Sequence, residues 1–95
     1  HDLDDEQTAF ALDGMVDETT SILGEVVDLT GLRSGVPVTY VRLTADRTLP
    51  PDQQDAAIAA IGSPEVIDLD SGHMAMIGRP AELAAILNEV AARPR

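Results

Sequence analysis

Apolar and polar positions fall into two similar runs in the second half of the chain. In residues 36–43, Val36, Val38, Tyr40, Val41 and Leu43 are β-branched, aromatic or otherwise apolar, as a strand inside a sheet prefers. The pattern predicts a strand over about 37–43, a loop carrying Asp46, and a helix over about 50–61. Pro50 and Pro51 suit a first helical turn, and Ala56, Ala57, Ile58, Ala59, Ala60 and Ile61 favour a helix with small packing surfaces. Gly62 supplies a stop and Pro64 blocks continuation. The plan then repeats. Val66, Ile67 and Leu69 predict a strand over 65–69, Asp70, Ser71, Gly72 and His73 a loop, and residues 80–92 a helix. In that helix Leu83, Ile86, Leu87 and Val90 fall at i, i+3, i+4 and i+7, one apolar stripe. Pro80 fits its first position and Glu82 its first turn, while Arg93 and Arg95 lie near the negative end of its dipole.

The first third is less regular. Asp4 fits a helix N-cap with Gln7 as its capping-box partner. Ala9, Phe10, Leu12 and Met15 would give that helix an apolar side, and Gly14 weakens its second half. Residues 15–35 read as a short helix or extended segment that leads to a loop at 31–35.

The order β-α-β-α has a geometric consequence. A right-handed crossover sets the two strands parallel and side by side, so their following loops emerge on one edge of the sheet. Asp46 and His73 then stand at matching strand ends, where α/β sheets gather ligands and catalytic groups. Two parallel strands cannot cover their own faces, so the fold class is α/β with further structure expected around it.

Composition narrows the choices. At 95 residues, the chain allows one small domain or a piece of a larger one. Its aromatics are Phe10 and Tyr40, so the core is aliphatic. It has no cysteine, which removes disulfides, thiolate metal sites and a Cys nucleophile, and leaves the redox compartment open. A net charge of −11 argues against nucleic acid or an anionic membrane as partner. No apolar run approaches the roughly 20 residues of a membrane span, and no signal peptide is visible, which gives the expectation of a cytoplasmic protein. A start at His1 rather than Met gives the expectation of a fragment or a processed chain.

Asp46 and His73 form the sharpest chemical pair. A triad needs a His that takes and returns a proton near neutral pH, and a carboxylate that fixes its tautomer. Each residue also has a plainer reading. Asp46 can cap a turn or pair with Arg42 or Arg47, and His73 can be a polar loop residue before a helix. The acidic run Asp2 to Glu6 lacks the glycine and terminal Glu of a calcium loop and reads as a solvated helix start. Asp68, Asp70 and His73 suggest a metal set that no further His or Cys completes, so neither a metal nor a cofactor is expected.

Val36-Pro37-Val38-Thr39-Tyr40-Val41 leading to Asp46 and Leu49-Pro50-Pro51, then Ser71-Gly72-His73-Met74-Ala75-Met76 and Arg79-Pro80-Ala81-Glu82-Leu83, resembles the C-terminal part of α/β-hydrolases. Within that superfamily the closest look is to the branch of plant-type methylesterases and hydroxynitrile lyases and its bacterial relatives. The resemblance covers residues 35–92. It implies a C-terminal β-α-β-α portion of the hydrolase core over residues 35–95, preceded over 1–34 by the end of a helical cap region and the return to the core. It assigns Asp46 as the acid and His73 as the histidine of a Ser-His-Asp triad, in the superfamily's order of acid before His. The lyases of the branch carry a lysine directly after the histidine. Here that place is Met74, which suits an esterase pocket and makes Met74 a candidate substrate-binding residue. Met74 and Met76 also read as core gap-fillers.

The chain contains no Gly-x-Ser-x-Gly, and none of Ser21, Ser34, Ser63 or Ser71 sits in such an elbow. The implied parent is therefore a cofactor-free serine hydrolase acting on a small carboxylic ester, with its nucleophile outside these residues. The partner this requires is the N-terminal part of the same fold, in the same or another chain, and the isolated chain is expected to be inactive. The alternative is a non-catalytic hydrolase-like domain that binds a small ligand or a protein partner.

Overall fold

The computed structural model describes residues 1–18, 21, 24, 26, 28 and 35–94. Its elements are helix α1 (Asp5–Asp13), strand β1 (Thr39–Leu43), helix α2 (Pro51–Ile61), strand β2 (Glu65–Leu69), the single-turn helix α3 (Ala75–Gly78) and helix α4 (Pro80–Ala91). The class is α/β. β1 and β2 pair in parallel with α2 as their crossover, in the register Thr39↔Glu65 through Leu43↔Leu69.

Local chemistry explains most boundaries. Asp4 caps α1 by accepting the Gln7 N–H at 2.8 Å, and the Gln7 side chain accepts the Asp4 N–H at 3.1 Å, a complete capping box. α2 opens with Pro51 at its first position and Pro50 as N-cap, and the Pro50 carbonyl accepts from Gln53 and Gln54. It ends at Gly62, whose φ of 118° lies where side-chain-bearing residues are strained, and whose N–H reaches back to Ile58 and Ala59. β1 begins at Thr39, later than the expected Pro37, because β2 begins only at Glu65 and the first ladder bond is the Val38 carbonyl accepting from Glu65. β2 has the expected bounds. α3 was not foreseen, since one turn is too short to show a period. The cap-to-core boundary near residue 34, the loop at 31–34 and most of the segment 19–34 fall outside the described residues. Residues 15–18 carry no regular helix or strand.

The two faces of the sheet carry different helices. Arg42 on β1 bonds Asp55 of α2 at 2.8 Å and lies 3.8 Å from its cross-strand partner Asp68. Glu65, whose side chain points to the other face by the alternation of a strand, bonds Arg93 just beyond α4. Arg93 is thereby held by Glu65 and Glu89. Parallel strands flanked by helices on both faces are the expected layering.

Coverage by apolar groups is thin. Among the described residues Leu69 and Ala75 are the buried hydrophobics. The expected apolar side of α1 is exposed, with Phe10 72% and Leu12 62% accessible. The stripe on α4 is half-buried at Leu83, Ile86 and Val90 but exposed at Leu87.

Gln54 does what a further strand would do. The even residues of β1 turn their backbone groups to β2: the Val38 carbonyl accepts from Glu65, and Thr44 N–H donates to Leu69. Leu43 therefore faces the opposite edge. Its N–H donates to Gln54 Oε1 at 2.8 Å, and its carbonyl accepts from Gln54 Nε2 at 2.8 Å. Nε2 also donates to the Leu49 carbonyl at 2.9 Å. One side-chain amide, 2% exposed, thus closes the end of the strand and the far side of the Asp46 loop. Substituting Gln54→Leu leaves three backbone groups unpaired, and should destabilise the native protein by about 2–4 kcal/mol, read from the midpoint of equilibrium urea unfolding. A midpoint within error of wild type would show the clamp to be idle.

Candidate active site

The ladder between the strands runs on into the loops. Thr44 N–H donates to the Leu69 carbonyl at 3.0 Å and Ala45 N–H to the Ser71 carbonyl at 3.1 Å. These two bonds bind the loop after β1 to the loop after β2, and the next side chains on each are Asp46 and His73. His73 Nδ1 lies 2.9 Å from Asp46 Oδ2. The meeting expected from topology therefore occurs.

Asp46 is fixed from its other side. Its Oδ1 accepts the backbone N–H groups of Thr48 at 2.8 Å and Leu49 at 2.9 Å. The turn-capping role and the histidine contact are thus both present, one on each carboxylate oxygen. Neither expected arginine is its partner: Arg42 is engaged by Asp55 and Asp68. The Asp46 side chain is 2% exposed and the His73 side chain 53%. Burial pushes the Asp46 carboxyl up. The Leu49 amide, the hydrogen bond to His73 and the Thr48 amide push it down and prevail, holding it below the ordinary value of 3.8.

That direction fixes the tautomer. A carboxylate ionised at neutral pH only accepts hydrogen bonds, so the proton between the two groups belongs to His73 Nδ1. In the neutral imidazole Nε2 then carries the lone pair, on a ring half open to solvent. This is the state a general base needs.

The remaining candidates separate clearly. Ser71 is buried and its hydroxyl donates to the Gly72 carbonyl at 2.9 Å, so it serves the loop. Ser63 is exposed and precedes β2, at the opposite strand end; Ser21 is exposed, and Ser34 lies outside the described residues. Among the described residues no cluster of three His, Cys, Asp or Glu is placed to hold a metal, and Asp68 faces Arg42 instead. Met74 is 39% exposed and lines a 430 Å³ cavity with Leu3, Ala11, Leu12 and Met15, beside the histidine in sequence. Met76 is 60% exposed, so among the described residues neither methionine fills a core gap.

Two contributors escape the sequence pattern. Gln54 had a signal: it shares a helix face with Ala57, Ile58 and Ile61, and a polar residue on an inward stripe marks a buried bond. Asp2 had none. Its carboxylate accepts the Gly72 N–H at 2.7 Å across 70 residues of sequence.

The lowered Asp46 carboxyl gives a signed expectation. Between its folded and unfolded values the unfolded chain binds more protons, so stability rises with pH there. The contribution is present above about pH 4 and is lost as pH falls through the depressed folded value. Unfolding midpoints measured from pH 6 downward should fall more steeply in wild type than in Asp46→Asn. Parallel curves would contradict the assignment of this carboxylate.

No protein-family model matches the chain, and no curated protein matches it at a significant level.

Proposed function

We propose that this chain supplies the acid and the histidine of a Ser-His-Asp triad in an α/β-hydrolase-fold esterase whose nucleophile lies outside these residues. The observation that carries the reading is the Asp46–His73 bond, 2.9 Å at neighbouring parallel strand ends, with Nδ1 engaged and Nε2 left for proton transfer. The quoted likeness of residues 35–92 to the C-terminal part of that superfamily supports it from a separate direction. On this reading residues 35–95 are the end of the hydrolase core and residues 1–34 the end of its cap. The sheet edge and the exposed apolar side chains of α1 and α4 are then covered by the N-terminal part of the same fold, in the same or another chain.

His73 Nε2 takes the proton of a serine hydroxyl as its oxygen bonds to the ester carbonyl carbon. Backbone N–H groups beyond this chain hold the oxyanion. The imidazolium, steadied by the ionised Asp46, returns its proton to the departing alcohol, and the acyl-enzyme remains. Water then attacks with its proton going to Nε2, the acid leaves, and the serine is restored. Asp46 stays ionised throughout. No cofactor is required. Met74 in place of the lyases' lysine leaves an apolar wall beside the histidine and favours a small carboxylic ester over a cyanide-forming reaction.

In the complete native protein, His73→Ala and Asp46→Asn should each lower ester turnover by roughly 10²-fold or more with a far smaller change in the unfolding midpoint. Full activity in both variants would sink the assignment. Intact mass of the native gene product from its own cells should lie well above 10.0 kDa. The purified 95-residue chain should show no His73-dependent ester turnover. An intact serine elbow upstream favours the enzyme, and a missing serine favours the non-catalytic binding domain.

A further inference from the structure

The loop that carries His73 is gripped, one residue earlier, by the start of the chain. Asp2 Oδ2 accepts the Gly72 N–H at 2.7 Å, and the Asp2 side chain is only 17% exposed. Arg79 Nη2 stands 3.8 Å from the same oxygen and steadies the carboxylate. Two neighbours tighten the clasp. Gln7 Nε2 donates to the Ile77 carbonyl at 3.1 Å, and Leu3 lies against Gly78. The capping of α1 does not need Asp2, because Asp4 performs it.

Gly72 bears the mark of this contact. A Cβ at Gly72 would lie 2.5 Å from Asp2 Oδ1 and 2.9 Å from its Cγ, closer than real contacts allow. Its backbone does not demand glycine, since the positive-φ glycines among the described residues are Gly35 and Gly62. A side chain at residue 72 would therefore push the Asp2 carboxylate aside and break this contact. We propose that Asp2 is a positioning residue for His73, its carboxylate fixing the Gly72 peptide so that the imidazole meets Asp46. This rests on the reading of His73 as the general base.

Asp46 sets the tilt of the ring from the front, and Asp2 sets where its backbone begins. Each removes a different freedom, so loss of either leaves the histidine out of line with its substrate. Misplacement of a catalytic group by about 1 Å is enough to lose roughly 10²-fold in rate.

The test is a cycle in the complete native protein. Asp2→Ala should lower kcat roughly 10-fold or more with KM within about 2-fold, and Asp2→Asn, which keeps an acceptor oxygen, should stay within about 3-fold of wild type. Gly72→Ala should match Asp2→Ala, and the double variant should be no worse than either single one, because both break one contact. In ¹⁵N-labelled protein without substrate, the Gly72 amide and His73 ring resonances should shift in Asp2→Ala and hold in Asp5→Ala, where Asp5 is an exposed first-turn acid. Unchanged resonances and kcat in Asp2→Ala, or strictly additive losses in the double variant, would overturn the proposal. If Asp2→Ala does not fold, Gly72→Ala decides by the same readings, with Asp2→Asn as the variant that keeps the contact. Absence of wild-type ester turnover counts against the esterase reading alone, since the resonances judge Asp2 without substrate.

Discussion

The parallel register that sets Leu43 beside Leu69 decides where every group of the site arrives. From that rung the ladder takes two more steps, Thr44 to Leu69 and Ala45 to Ser71, and the side chains that follow are the acid and the histidine. A slip of one residue would turn the slipped strand's side chains to the opposite face and separate the loops by a rung. Ion pairs guard the register on both sides. Arg42 reaches Asp68 across the strands and Asp55 on the helix above, and Arg93 ties the far end of β2 to α4.

Burial in this chain is distributed in an unusual way. Asp46, Gln54 and Ser71 are among the most enclosed of the described residues, at 4%, 2% and 1% exposure, while Phe10, Met15 and Val16 stand open. Enclosed polar groups are stable only when each finds a partner, and among the described residues none of the buried side-chain nitrogens and oxygens is left without one. Order at the strand ends thus comes from directional bonds to the backbone. The apolar side chains supply the other half of folding, and they act when something covers them.

What the sequence revealed follows the range of the physics involved. Short-range signals were legible: the Asp4 and Gln7 capping box, Pro51 at the start of α2, Gly62 at its end, and the stripe of α4. The Asp46–His73 meeting was legible at one remove, because handedness and register turn two local strand patterns into one shared edge. Contacts that depend on how distant segments dock were not. Asp2 looked like another acid in a solvated run, and nothing near it in sequence points to Gly72. The apolar side of α1 was readable as a pattern, but among the described residues it stays exposed. The turn of α3 is too brief for any period to betray.

The amide of Gln54 also limits what can lie beside β1. Thr39 and Val41 turn their backbone groups to the same edge as Leu43, but the rung at Leu43 is already taken by Gln54 Oε1 and Nε2. A neighbouring chain segment that zips along this edge therefore has two rungs to use and must turn aside before the third. Its last paired residue stops one level short of the acid loop, and the ground above that level belongs to whatever loop follows it.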